Sequence, residues 1–203
     1  MPSLRDAGAV QTVNAQNSPL ASQDGAQYLP GGITIDATNG YDGANASFET
    51  LFRAGCIMAQ NTSTKKYVPC KRTLANGAGS TSTALTVDNA QFFKAGDALQ
   101  IGSTTGTIAS INYTTNVITL TATKSWSDND VVYCSTNGTG TAVGVLAGDV
   151  DCYQEDTRTS VDMTGELLIG GLLKASRILG DLTAIRAVSG NLISAKFTVD
   201  TDY

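Results

Sequence analysis

Short apolar runs separated by clusters of turn residues mark the chain from residue 74 to residue 139. Runs rich in Thr, Ile and Val occupy 84–87, 98–101, 106–112, 117–122 and 131–135. Between them lie Lys94-Ala95-Gly96-Asp97, Thr114-Thr115-Asn116 and Asp128-Asn129-Asp130. Strands of that length and spacing predict a small antiparallel barrel or sandwich. Asn76-Gly77-Ala78-Gly79-Ser80 precedes this zone and Asn137-Gly138-Thr139-Gly140 ends it. Glycine-rich brackets on both sides are the pattern of a module inserted into a surface loop.

The flanking zones read differently. In 48–73, Gly55-Cys56-Ile57-Met58-Ala59-Gln60 and Lys66-Tyr67-Val68-Pro69-Cys70 border the polar stretch 61–65, which predicts a hairpin with a five-residue turn. A turn centred on Ser63 sets Met58 opposite Val68 and Cys56 opposite Cys70. In 140–203, Ala142-Val143-Gly144-Val145-Leu146 predicts a buried strand and 160–169 a second one. Residues 172–179, with Leu172, Leu173, Ser176 and Leu179 on one side and Gly180 as a stop, predict a short helix. Residues 192–199 alternate in part, with Ile193, Ala195, Phe197 and Val199 on one face. Residues 1–47 hold three of the chain's four prolines and scattered apolar positions without a sustained period, apart from a short strand at 33–35. That zone reads as an extended arm, loose or lying on a partner. Its apolar anchors are Leu4, Val10, Val13, Leu20, Tyr28 and Leu29.

The expected fold is therefore mainly β with one short helix. A small β-barrel-like core (48–73 and 140–203) is interrupted by an inserted antiparallel β-module (74–139) and preceded by an extended N-terminal arm (1–47).

Composition narrows the chemistry. The 203 residues include no histidine, and 13 Lys+Arg stand against 18 Asp+Glu. Without imidazole there is no Ser-His-Asp or Cys-His catalysis and no histidine metal ligand. A net charge of −5 is a poor match for nucleic acid, which is bound through many Lys and Arg on phosphates. The longest apolar stretch, 167–173, contains two glycines and falls short of the roughly 20 residues that span a bilayer. Residues 1–6 lack the apolar core of a secretory signal. The charge is uneven: Glu49 against Arg53, Lys65, Lys66, Lys71 and Arg72 gives 48–73 a balance of +4. Such a cluster is a solvated face or a surface that steers an acidic protein partner.

The four cysteines, Cys56, Cys70, Cys134 and Cys152, contain no C-x-x-C pair. Cys56 and Cys70, facing each other across the hairpin, are either bridged or two small buried hydrophobes. Asp149, Asp151, Glu155 and Asp156 lack the glycine-centred spacing of a calcium loop and read as a solvated turn. Gly138-x-Gly140-x-x-x-Gly144 has the wrong spacing for a dinucleotide fingerprint. No catalytic residue, metal or cofactor is expected.

Two stretches carry a family likeness. Phe52-Arg53-Ala54-Gly55-Cys56-Ile57-Met58-Ala59-Gln60, with Lys65-Lys66-Tyr67-Val68-Pro69, is later followed by Ala142-Val143-Gly144-Val145-Leu146-Ala147-Gly148-Asp149-Val150-Asp151. Together they resemble the head decoration (capsid cement) proteins of tailed bacteriophages, the lambda-type proteins among them. The chain departs from that pattern at Gly148, where a charged residue is usual, and in the roughly 65 residues that part the two halves. The resemblance implies a non-enzymatic homotrimer on the outer capsid surface, assembled in the host cytoplasm. It would bind the major capsid protein, clamp neighbouring subunits of the expanded shell, and contact neither nucleic acid nor membrane. In this reading the arm at 1–47 orders on docking. A receptor- or glycan-binding tail or spike protein shares the same Thr-, Gly- and Asn-rich composition.

Overall fold

The structure, a computed structural model, describes residues 18–45, 49–154, 159–186 and 196–201. It is mainly β with one short α-helix, Leu182–Arg186. Two sheets hold most of the strands among the described residues.

The first sheet curls until its ends meet. Residues 27–28 and 33–35, with a turn between them, run antiparallel to Leu167–Lys174 and Met163–Gly165 in turn, with Gln27 opposite Gly170, Tyr28 opposite Leu168, Ile33 opposite Gly165 and Ile35 opposite Met163. Strand Leu167–Lys174 pairs with Ala142–Leu146, which pairs with Ile57–Gln60, which pairs with Tyr67–Pro69. Tyr67 then lies beside Ile35 in parallel and closes the path. Side chains alternate between faces along each strand. Ile33, Ile35, Met58, Leu146 and Leu167 join one core, with Phe52 and Val150. Their neighbours Ile57, Ala59, Val145 and Leu168 join a second, covered by Leu20, Leu173, Ile185 and Phe197. With both faces buried, these strands read as near-continuous apolar runs rather than alternating ones.

The second sheet is the module, in the order Arg72–Leu74, Val131–Cys134, Ala98–Ile101, Thr104–Asn112, Val117–Trp126 and Gly79–Thr86. All pairings are antiparallel. A bridge between Ala75 and Val87 joins the two ends of that order. Leu85, Phe93, Leu99, Ile101, Ile118 and Val132 form its core.

Three expectations need correction. The hairpin register is one residue off: Ala59 faces Val68, and Met58 faces Pro69. The loop is closed by Asn61 N–H on the Lys66 carbonyl, and Lys65 takes a left-handed conformation (φ 63°), which adds a position to the turn. The expected helix at 172–179 is instead the end of strand Leu167–Lys174 followed by a 3-10 turn, Ala175–Arg177. Leu172 and Lys174 are held on one edge by Ala21 and Pro19, and residues 171–174 on the other by Phe197–Asp200. Pairing on both edges outweighs a helical period of eight residues, which is marginal alone. The α-helix starts at Leu182, ten residues later than expected, where Asp181 Oδ1 accepts Ala184 N–H (2.9 Å).

The arm is the third. From residue 18 onward it belongs to the barrel, with Leu20 bridged to Leu173 and buried, and Leu29 packed against the inner core. Leu4, Val10 and Val13 lie outside the described residues, as do residues 192–195 of the expected strand at 192–199.

The C-terminal bracket of the module is bonded to the barrel hairpin. Asn137 and Thr139 carbonyls accept Thr62 and Lys71 N–H, and the Gly140 carbonyl accepts Arg72 Nε–H (2.7 Å). The two lobes are locked together. Adjacent Phe92 and Phe93 enter different cores, Phe92 the barrel and Phe93 the module. Lys71 Nζ donates to both Asp97 carboxylate oxygens at 2.8 Å, and both residues are buried. Asp181 Oδ2 accepts Thr73 Oγ1–H (2.9 Å) and Leu74 N–H (3.1 Å), tying the helix to the first module strand. Asp42 accepts Gln91 Nε2–H (2.9 Å), and Lys94 Nζ donates to the Thr38 carbonyl (3.0 Å).

Candidate functional site

The stretches that carry the family likeness meet at one end of the barrel, around the turn 147–149. Strand Leu51–Phe52 pairs with Val150–Asp151, Phe52 opposite Val150. Gly55 N–H donates to the Leu146 carbonyl (2.8 Å), and Ala54 N–H donates to Asp149 Oδ1 (2.7 Å). Gly55 has φ +90°, and a Cβ there would collide with the Arg177 carbonyl. Only glycine accommodates both conditions without strain.

Two grooves, each about 290 Å³, flank this turn. The first is lined by Arg53, Ala54, Asp149, Ser176, Arg177 and Leu179. Arg53 is anchored through Nη2 to the buried Asp42 carboxylate (3.3 Å). The groove thus presents two guanidinium groups and the Asp149 carboxylate, one oxygen of which accepts Ala54 N–H. The second groove lies on the other side and includes Ser18, Leu20, Gln23, Tyr28, Ala147 and Gly148. Tyr28 is 42% exposed, and a Cβ at Gly148 would meet nothing within 4 Å. The missing side chain at Gly148 therefore leaves this groove open.

Two of the expected arm anchors thus stand at this end, Leu20 in its floor and Tyr28 on its rim, while Leu29 turns into the barrel. Arg177 joins them without any signal in the sequence, since nothing near it marks the 3-10 turn that presents it. Other exposed apolar side chains are Tyr153 and Val161, on or beside the hairpin that follows the turn, and Met163, in the strand paired with Ile33–Ile35.

The remaining candidates separate. Cys56 and Cys70 belong to different cores, since Cys70 N–H bonds the Ile57 carbonyl, and all four cysteines are buried free thiols. Burial pushes the Cys56 thiol well up, that of Cys70 to about 12 and that of Cys152 to about 11. Thiols so protonated are poor nucleophiles.

The basic cluster is divided as well: Lys71 and Arg72 are buried, Arg72 beneath the Tyr133 ring (4.6 Å), and Lys66 pairs with Asp162. That pairing, through a hydrogen bond, raises the Lys66 ammonium and lowers the Asp162 carboxyl from their ordinary values. Of the acidic run, Asp149 and Asp151 accept backbone N–H bonds, and Glu155 and Asp156 lie outside the described residues. Among the described residues no group of three or more His, Cys, Asp or Glu is placed to hold a metal, and no helix is long and apolar enough to cross a membrane.

No protein-family model, curated protein or solved structure matches the chain.

Proposed function

We propose that the chain is a non-enzymatic decoration protein of the tailed-phage head. It binds the outer surface of the expanded capsid as a homotrimer and clamps neighbouring major capsid subunits. The observation that supports this most is spatial. The two stretches that resemble decoration proteins are parted by about 65 residues, yet they form adjacent strands of one barrel and share the turn at 147–149. The barrel end bearing Tyr28, Arg53 and Arg177 is the face turned to the shell, and three copies of it bind through avidity. The module, fixed to the barrel by buried polar bonds, stands as a rigid second lobe.

Purified chain added to expanded shells that lack a decoration protein is expected to sediment with them and to raise the temperature at which they burst. Chain that leaves the shells untouched and adheres to host cells instead would replace this reading with the tail or spike one.

A further inference from the structure

We infer that the groove walled by Arg53 and Arg177 is a carboxylate site, which takes one acidic side chain from the surface of a protein partner. Charge is the first argument. Two guanidinium groups stand against one carboxylate, Asp149, so the groove carries a net +1 in a chain of −5. Asp149 Oδ1 accepts Ala54 N–H, and neither arginine is ion-paired with it. Arg177 is exposed and has no ion pair among the described residues. Arg53 carries five N–H donors and spends one of them, from Nη2 to Asp42 at 3.3 Å. Its Nε is the one buried side-chain nitrogen or oxygen among the described residues without a hydrogen-bond partner. Most of the hydrogen-bonding capacity of both guanidinium groups is therefore unspent within the chain.

The barrel sets both cations in place before a partner arrives. Arg53 directly follows strand Leu51–Phe52 and is held to the buried Asp42. The 3-10 turn that presents Arg177 is closed by Ile178 N–H on the Ala175 carbonyl (3.2 Å). It is tied to the barrel by Leu179 N–H on the Gly55 carbonyl (2.9 Å) and by Ile57 N–H on the Leu179 carbonyl (3.1 Å). Guanidinium groups on so fixed a frame match the planar carboxylate bidentately and lose little freedom on meeting it. Asp149 sets the selectivity. A dianion such as phosphate meets a like charge in the groove, whereas a single carboxylate is balanced by the net +1. A volume of about 290 Å³ stands at the lower edge of ligand sites and suits one side chain. The owner of that side chain rests on the decoration reading, in which it is a capsid subunit, while the chemistry of the groove does not.

The test follows the full chain by proton–nitrogen correlation spectra at neutral pH and low salt. The probes are an end-blocked Gly-Glu-Gly peptide, its neutral twin Gly-Gln-Gly, and inorganic phosphate. The glutamate peptide should shift the Ala54, Gly55 and Arg177 amide signals to saturation, and the glutamine peptide should bind about tenfold or more weakly. Arg177→Gln should weaken the glutamate peptide about tenfold or more while circular dichroism stays unchanged. Arg177→Lys, which keeps the charge without the fork, should recover only part of that loss, and Lys124→Gln, on the module, should change nothing. Asp149→Asn, which keeps an acceptor for Ala54 N–H, should tighten phosphate more than the peptide. Absence of saturable shifts, equal binding of the two peptides, or affinity indifferent to Arg177 would overturn the inference. So would phosphate binding more tightly than the glutamate peptide in the unaltered chain, which would make the groove a phosphate site. No shell enters these titrations, so their failure leaves the decoration reading standing, and a failure to bind shells leaves the groove site standing.

Discussion

Replacing Lys71 by methionine tests whether the two lobes are joined by buried polar bonds rather than by a passive linker. Lys71 Nζ holds both oxygens of Asp97 at 2.8 Å, with the two side chains 4% and 9% exposed. Methionine reproduces the stem as far as Cε and keeps most of the packing, but it strands a carboxylate that water hardly reaches. Asp97 retains one partner, Lys94 N–H at 2.9 Å, which does not neutralise it. Removing one member of a buried pair costs about 3–5 kcal/mol. At about 2–4 °C per kcal/mol for a chain of this size, the midpoint of thermal unfolding should fall by roughly 6–20 °C.

The double variant Lys71→Met/Asp97→Asn removes the stranded charge and keeps an acceptor for Lys94 N–H. It should recover a large part of the loss, and that recovery isolates charge from packing. Urea unfolding followed by both tryptophan fluorescence and far-ultraviolet circular dichroism is the assay, because Trp126 lies in the module core and the dichroism reports both lobes. A single-variant cost below about 1 kcal/mol, the range of solvent-exposed pairs, would refute the reasoning. A double variant no better than the single one would refute it too.

Three further outcomes are expected. In the folded chain none of the four cysteines should react with a thiol reagent at pH 8, and all four should react in denaturant; rapid labelling of Cys56 or Cys70 in the native state would contradict their burial. Gly55→Ala should cost about 2 kcal/mol or more by urea unfolding, because it adds left-handed strain to a collision with the Arg177 carbonyl. The Lys66–Asp162 pair should make stability depend on pH in a defined sense: the Asp162 carboxyl is lowered, so its contribution is present above the ordinary carboxylate range and is lost as pH falls through the lowered value. The difference in unfolding midpoint between wild type and Asp162→Asn should therefore shrink between pH 7 and pH 3. It should also shrink with added salt, because both side chains are partly exposed.

The module was the most legible part of the sequence. Its strands from Ala98 to Cys134 alternate over a single core and are punctuated by Asn, Asp and Gly, so pattern and structure agree there. Arg72–Leu74, read with the hairpin zone, and Gly79 and Ser80, read as a bracket, are by contrast strand residues of the same sheet. The barrel was harder, because strands buried on both faces lose the period of two. Leu172 and Leu173 consequently read as a helix. The hairpin register depended on Lys65 adopting a left-handed conformation that its residue type does not announce. Residues 18–45 read as a partnerless arm because their partner, 163–174, lies more than a hundred residues away. The basic cluster failed for the same reason: Lys71 and Arg72 are adjacent to Lys65 and Lys66 in sequence, but their acceptors, Asp97 and the Gly140 carbonyl, come from the other lobe. Of the candidate site, Arg53 and Gly148 were visible through the family likeness, whereas Arg177 becomes visible only when the 3-10 turn brings it beside Gly55.

The most direct test of the decoration reading is a density map of expanded shells incubated with the purified chain. Trimeric density at three-fold positions, with the barrel end at Tyr28, Arg53 and Arg177 against the shell and the module away from it, is the expected result. Bare shells at saturating protein, or density attached through the module, would contradict it.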